Sequence, residues 1–130
     1  MKEITDAQLI KKAKSVIKPK KNRHGETFAD VGCALLSAKG NVYVGVNVGF
    51  CAEGTAIAMM ITHGEYKIKT IVAVWKDGTI LSPCGRCREF MYQVDKSNLN
   101  ADVIIGKNKT MKLRKLLPLP WDKSWERRGK

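Results

Sequence analysis

Four cysteines, at positions 33, 51, 84 and 87, are the residues of this 130-residue chain whose types and spacing could do chemistry. Cys84 and Cys87 lie in the run Pro-Cys-Gly-Arg-Cys, which places two thiols on the opening turn of a predicted helix. Both sulfur atoms can then face one point. On its own, such a pair is equally consistent with a redox pair, half of a structural zinc site, or two buried side chains.

Cys51 begins the other central helix, directly after a strand, in the run Cys-Ala-Glu. Two helix N-termini could therefore converge on one metal ion with three sulfur ligands, which leaves an open coordination position for water. Thiolates are soft ligands that favour zinc, so Zn²⁺ is the expected cofactor. Glu53 could reach the open position, where a carboxylate can take a proton from water and return it to a leaving group.

These residues resemble the zinc-dependent cytidine deaminases, including the blasticidin S deaminase branch of that family. The resemblance rests on residues 51–53 (Cys-Ala-Glu) and 83–87 (Pro-Cys-Gly-Arg-Cys). It extends to the predicted hairpin at 31–48 and to Leu-Leu-Pro at 116–118 followed by Trp121, and so covers roughly residues 5–121.

The family resemblance implies a hydrolase, a cytidine-deaminase-like aminohydrolase. Its substrate would be a free cytosine nucleoside, cytidine or deoxycytidine, or an analogue such as blasticidin S, whose 4-amino group becomes a keto group with release of ammonia. The resemblance also implies individual roles: zinc ligation by Cys51, Cys84 and Cys87, proton transfer by Glu53, a hydrogen bond to the substrate from Asn47, and an aromatic cover over the base from Trp121.

The chain departs from the family between Asn47 and Cys51, where only Val-Gly-Phe intervenes. The glutamate that binds ribose in cytidine deaminases has no counterpart there, so the sequence leaves the nucleoside open. Phe50, beside a zinc ligand, is expected at the mouth of the pocket. Gly54 stands where many cytidine deaminases have an arginine, and we expect Arg86 to offset the negative charge of the zinc–thiolate site instead.

The remaining candidates have ordinary structural interpretations. Cys33 lies in the middle of a strand, where a cysteine is usually a small buried hydrophobe, although as a fourth ligand it would close the zinc site. His24 and His63 are expected at the surface, and Phe28 in the core or at the pocket mouth. A non-enzymatic zinc-stabilised or thiol-redox module is the alternative function. Glu53 discriminates, because a structural site has no use for a carboxylate at an open position.

Capping and hydrophobic periodicity predict the elements that must position these residues. A helix capped by Thr5 or Asp6 should end before Pro19 and lead into a loop at 18–27. The order of elements and the family resemblance together predict an α/β protein, a three-layer α/β/α cytidine-deaminase-like fold whose mixed sheet has about five strands and an N-terminal antiparallel hairpin. We predict helices at 52–62 and 84–94, hairpin strands at 31–37 and 42–48, and further strands at 70–75, 101–105 and 110–113.

Length and charge limit the number of domains and the kinds of partner to be expected. The length suits one domain, 1–130, with a basic tail from about residue 122. Lys and Arg number 24 against 12 Asp and Glu, a net charge of +12. The basic stretches do not interleave aromatic residues that could stack on bases, so we do not expect dedicated nucleic-acid binding, and a deaminase acting on nucleic acid remains an alternative.

The sequence also predicts a location and an assembly. No apolar run approaches the roughly 20 residues that a membrane-spanning helix needs, and the N-terminus lacks a secretory signal, so a cytoplasmic protein is expected. The helix at 52–62 is apolar around most of its circumference, and the part not covered by the sheet should meet another subunit. The family resemblance implies a homotetramer in which Trp121 could cover a neighbour's base.

Overall fold

The structure is a computed structural model that describes residues 3–122. A mixed six-stranded sheet forms its centre. The strands run in the order β4-β3-β5-β7-β8, and β6 pairs with β5 off this path. The strands are β1 (Lys20–Lys21), β2 (Thr27–Phe28), β3 (Val31–Ser37), β4 (Val42–Val46), β5 (Ile68–Trp75), β6 (Ile80–Leu81), β7 (Asp102–Gly106) and β8 (Lys109–Lys112). The helices are α1 (Asp6–Ser15), α2 (Ala52–Thr62), α3 (Gly85–Val94) and α4 (Leu113–Leu116), with a 3₁₀ turn at Lys96–Asn100.

The sheet has the mixed topology that the sequence predicts. Strand β3 is antiparallel to both β4 and β5, and β5 and β7 form a parallel pair. The predicted hairpin at 31–48 is confirmed, with β4 ending at Val46. The sheet gains one strand over the expected number because Ile80–Leu81 pairs with β5.

Helices cover both faces of the sheet, which confirms the three-layer architecture. Successive residues of β3 point to opposite faces: Ala34 packs in one core with Leu9 and Ala13 of α1. Cys33 packs in the other core, which contains Ile57 of α2 and residues of α3.

None of the described helices combines the length and the apolar character that crossing a membrane requires.

Helix α1 begins and ends as predicted. The Thr5 hydroxyl accepts a hydrogen bond from the Gln8 N–H, and the Gln8 side chain accepts one from the Thr5 N–H, so the two residues form a capping box. The helix ends at Ser15, before Pro19.

The prediction of a plain loop at 18–27 is wrong, because β1 and β2 pair there as a short antiparallel hairpin. Two-residue strands of mostly polar residues carry no alternation that a sequence pattern could reveal. The turn is held by Asn22, whose side-chain oxygen accepts hydrogen bonds from the N–H groups of His24 and Glu26. This hairpin later supplies part of the wall of the functional site.

A glycine sets the distance between β4 and α2. A Cβ atom on Gly45 would lie 2.5 Å from the backbone nitrogen of Ala56 and 2.8 Å from the Cβ of Thr55. Only a residue without a side chain allows this approach. The position of α2 on the sheet, and of the residues at its N-terminus, therefore depends on Gly45.

We predict that Gly45→Ala lowers the free energy of unfolding by about 1–3 kcal/mol, because the new methyl group must push α2 away from the sheet. Urea titration measures the change. Gly106→Ala is the control, since its Cβ would meet only the Lys109 Cβ at 3.7 Å, and it should change stability by less than about 0.5 kcal/mol. Equal stability of the two variants would contradict the close approach.

Candidate active site

Three thiols from two helix N-termini meet at one point. Cys51 is the N-cap residue of α2, Cys84 is the N-cap residue of α3, and Cys87 lies in the first turn of α3. Their sulfur atoms all lie within 4.8 Å of one another, and the Sγ atoms of Cys51 and Cys84 are 3.2 Å apart. Neither N-cap side chain is used to cap its helix, so the sulfur atoms are available to a metal.

The three thiols differ in acidity. Burial is the main cause that raises the pKa of both Cys51 and Cys87. Burial also acts on Cys84, but hydrogen bonds from the backbone N–H groups of Cys87 and Arg86 and from the neighbouring thiols together lower its pKa below the usual value. The helix N-terminus thus favours one thiolate, and a bound cation would stabilise all three.

The donor set fits zinc. Three sulfur atoms are soft ligands, and a tetrahedral zinc ion held by three protein ligands keeps a fourth position for water or substrate. Cys33 is not part of this group among the described residues: it is fully buried in the core, and burial raises its pKa. The interpretation of Cys33 as a small buried hydrophobe is therefore confirmed.

Glu53 is a buried carboxyl group beside the thiols. It lies in the first turn of α2, is only 5% exposed, and lines the same cavity as Cys51 and Cys84. Burial raises the pKa of its carboxyl group, partly offset by a hydrogen bond from its own backbone N–H. A raised pKa makes the carboxylate a better proton acceptor, which suits a proton carrier.

The cavity that contains these groups has a volume of about 520 Å³. Its walls are largely apolar and include Phe28, Val31, Phe50 and Leu81, so the hairpin β1–β2 and the segment before α3 both contribute. Such a volume and lining are typical of a small-molecule site with a few polar groups. The structure thus places Phe28 and Phe50 at the cavity.

Asn47 also lines the cavity, but its amide is engaged by the chain. Its Oδ1 accepts a hydrogen bond from the Val31 N–H at 2.9 Å, and its Nδ2 donates to Asp30 Oδ1 at 2.7 Å. These bonds tie the connection between β4 and α2 to the start of β3. A hydrogen bond from Asn47 to substrate stays a prediction.

Arg86 lies against Phe50. Its guanidinium carbon is 5.8 Å from the centre of the Phe50 ring, a distance typical of a cation–π contact. The ring itself lies over Gly54, where a Cβ atom would come within 2.9 Å of the Phe50 Cδ2. The missing side chain at Gly54 is therefore what lets Phe50 and Arg86 stack beside the thiols.

The structure does not bring Trp121 to the cavity of its own chain. Trp121 is 57% exposed, and its backbone N–H donates to Glu89 Oε1 at 3.2 Å. His24 and His63 are exposed, as expected, and neither belongs to the thiol group. Most of the predicted basic tail, residues 123–130, lies outside the described residues.

Arg88 is a positioning residue that sequence reasoning missed. Its Nε donates to the Pro83 carbonyl at 2.8 Å, its Nη1 to the Leu116 carbonyl at 3.1 Å, and its Nη2 to Ser82 Oγ at 3.2 Å. It thereby fixes the segment that leads into Cys84. Its position directly after Cys87 was the one sequence feature that could have indicated this role. Arginines are common on helices, so this feature alone does not single it out.

Comparison with known proteins agrees with this geometry. The family model described as the cytidine and deoxycytidylate deaminase zinc-binding region matches residues 4–102. The chain belongs to this family. Because the family region is a zinc-binding one and the three thiols fit the ion, zinc is the cofactor of this deaminase-family chain.

Similar proteins are known from sequence and from structure. A probable cytidine deaminase of Dictyostelium discoideum is 38% identical over 69 residues, 46% of this chain and 46% of that protein. A cytidine deaminase of Mycobacterium tuberculosis is 32% identical over 79 residues, 55% of this chain and 59% of that protein. The chain thus spans about half to three-fifths of the length of these curated relatives.

The solved structures share the fold. The cytidine deaminase from Mycobacterium leprae has a TM-score of 0.76 and 23% identity, and the match covers 90% of this chain and 100% of that one. The cytidine deaminase from Burkholderia pseudomallei has a TM-score of 0.70 and 26% identity, with coverage of 88% and 98%. The predicted cytidine-deaminase-like fold is confirmed.

We predict one zinc ion per chain and its loss in Cys84→Ala and Cys87→Ala, because each change removes a ligand and the common anchor of two helix starts. Metal analysis of the purified proteins measures the stoichiometry. Cys33→Ala is the matched control and should keep its zinc, since Cys33 lies outside the thiol group. Stoichiometric zinc in either ligand variant would refute the assignment.

Proposed function

We propose that this protein converts the 4-amino group of a free cytosine nucleoside, cytidine or deoxycytidine, to a keto group with release of ammonia. An analogue such as blasticidin S belongs to the same substrate class. The observation that carries the proposal is the buried carboxyl group of Glu53 in the cavity that also contains Cys51 and Cys84. The names of the curated relatives, cytidine deaminases, support the same reaction.

The protein's own groups supply the proton transfers of this reaction. Zinc held by the thiolates of Cys51, Cys84 and Cys87 would supply Lewis-acid chemistry, lowering the pKa of water so that it can lose a proton and add to C4 of cytosine. The Glu53 carboxylate takes one proton from the attacking water and delivers it to the ring nitrogen N3 of the base. It then takes the second proton from the new C4 hydroxyl, which becomes the keto group, and delivers it to the amino group, which leaves as ammonia. Its burial keeps the carboxyl form accessible between the two transfers.

The walls of the cavity hold and shield the base. Phe28, Val31, Phe50 and Leu81 offer apolar contacts to a flat pyrimidine ring. Electrostatic interactions at the thiols and Glu53 are stronger in such a cavity than in water.

We assign a charge-neutralising role to Arg86. A zinc dication with three thiolates carries a net charge of −1, and nearby positive charge favours this arrangement. The N-termini of α2 and α3 supply part of it. Arg86 stacks on Phe50, the residue directly before Cys51. This contact supports Arg86 as the second source of positive charge near the thiolates.

A thiol-redox module is the second candidate function. The lowered pKa of Cys84 and its 3.2 Å distance from the Cys51 sulfur favour thiol exchange in the metal-free protein. The buried Glu53 opposes it, because a thiolate pair gains nothing from a nearby carboxylate.

We further propose a cytoplasmic location, supported by four free thiols, which a reducing compartment preserves.

A substrate panel tests the proposed function. Zinc-loaded protein is incubated with free cytosine, cytidine, deoxycytidine and blasticidin S, and ultraviolet absorbance reports loss of the 4-amino group. We expect turnover of at least one nucleoside or analogue. Disulfide reduction or exchange without any turnover would favour the thiol-redox module.

We predict that Glu53→Ala keeps zinc and the fold but lowers turnover by on the order of a hundredfold or more, because the proton carrier is lost while the ligands remain. Steady-state rates and metal analysis are measured together. Glu65→Gln is a control at a buried glutamate that does not line the cavity, and should keep both zinc and the rate. A near-normal rate in Glu53→Ala would assign the proton transfers to another residue.

We also propose that the protein assembles as a homotetramer. The exposed side of α2 includes Met59, which is 46% exposed, and Ala58. A second cavity of about 510 Å³ lies between α2 and α3 and is lined by Phe50, Ala58 and Phe90 among others. This apolar surface suits contact with another copy of the chain. The exposed Trp121 ring then covers the base bound by a neighbour.

We predict a species of four chains in sedimentation equilibrium, and a larger effect of Trp121→Ala on KM than on kcat, because the ring acts in binding and not in the chemical step. Leu119→Ala, a change at a residue that is 80% exposed in the same segment, serves as the control and should leave both constants unchanged. A fully active monomer would contradict the proposed homotetramer.

A further inference from the structure

Glu26 is a cavity residue to which the reaction described above gives no role. It lies at the end of the β1–β2 turn and lines the cavity, and its side chain is exposed. Asn22 holds its backbone twice: the Glu26 N–H donates to Asn22 Oδ1 at 3.0 Å, and the Glu26 carbonyl accepts from the Asn22 N–H at 2.9 Å. The backbone is therefore fixed, while the carboxylate can turn toward a ligand.

Most other polar groups of the cavity already have a partner or a role. The thiols and Glu53 form the reacting end. The Asn47 amide is engaged by Asp30 and Val31, and the Ser82 hydroxyl accepts a hydrogen bond from a guanidinium group. Glu26 is thus the charged group of the lining that the proton transfers leave without a role.

The charge of the lining is negative. Among the described residues, Glu26 and Glu53 are the carboxylates that line the cavity, and no Lys or Arg lines it. Arg86 borders the neighbouring cavity instead. Lys20 and Lys21 pair with β2 across the hairpin but are not among the lining residues.

We propose that Glu26 is a specificity-determining residue that selects substrates with hydrogen-bond donors on the substituent of the pyrimidine and disfavours phosphate there. Sugar hydroxyls and cationic amino groups both donate to a carboxylate, whereas a phosphate dianion meets repulsion and finds no cation in the lining. The site then takes nucleosides or cationic analogues in preference to nucleotides. This inference rests on the proposed function.

The test compares three ligands that share base and sugar but differ in charge at the 5′ position: 5′-amino-5′-deoxycytidine, cytidine and cytidine 5′-monophosphate. Their affinities are measured by calorimetry with zinc-loaded Glu53→Ala protein, which cannot turn them over. With Glu26 present we expect cytidine to bind about tenfold or more tightly than the monophosphate, and the amine at least as tightly as cytidine. Glu26→Lys should narrow or reverse the first ratio and weaken the amine.

Glu3→Lys makes the same change of charge outside the cavity and should leave all three affinities in their original order. Glu26→Lys should fold, because the two bonds to Asn22 involve only the backbone of residue 26. In the active protein, Glu26→Gln should raise the KM for cytidine and leave kcat unchanged. An unchanged affinity order in Glu26→Lys, or tighter binding of the monophosphate with Glu26 present, would overturn the inference alone. Failure of all three ligands to bind would overturn the proposed function with it.

Discussion

The convergence of two helix N-termini on one cluster of sulfur atoms is the constraint on which the rest of the structure depends. Three thiols within 4.8 Å of one another require α2 and α3 to start at nearly the same place. Gly45 fixes α2 on β4, and the hydrogen bonds of Arg88 fix the segment that enters α3. The sheet serves mainly as the rigid base for these two approaches.

Burial and helix position set the acidity of the groups in and beside this cluster. Cys51 and Cys84 line the cavity, and Glu53 lines it too but is only 5% exposed. A carboxyl group placed there has a raised pKa, and a thiol on the N-terminus of α3 has a lowered one. The pKa values of two groups at adjacent helix starts are thus moved in opposite directions by their surroundings. The cavity beside them is largely apolar, with Glu26 as a second acidic group in its lining.

The sequence predicted the parts of the site that short motifs encode. The two cysteine runs each follow a strand-like segment and open a helix, which allowed Cys51, Cys84 and Cys87 to converge, and the family resemblance implied that they do. The capping of α1 and the β3–β4 hairpin followed from equally local signals. Cys33 was correctly interpreted as core because a strand centre is usually buried.

The parts that were missed depend on contacts between distant segments. Arg88 matters because it reaches Leu116, and nothing in either residue's neighbourhood in sequence indicates that bond. The hairpin that carries Glu26 consists of two-residue strands whose pairing is set by the Asn22 turn, not by a hydrophobic pattern. Trp121 was expected to cover the base, but it does not line the cavity of its own chain, and its contact with substrate stays a prediction.

Isotope incorporation tests the central claim, that three thiols and Glu53 form a site for zinc-dependent hydrolysis, most directly. Zinc-loaded protein is incubated with cytidine, deoxycytidine and blasticidin S in water enriched in ¹⁸O, and mass spectrometry of any product is combined with an ammonia assay. The account predicts one ¹⁸O atom at C4 of each product molecule and one ammonia released with it, both abolished by removal of zinc. A zinc-loaded protein that leaves all three compounds unlabelled and unchanged, or that acts equally well without zinc, would contradict it.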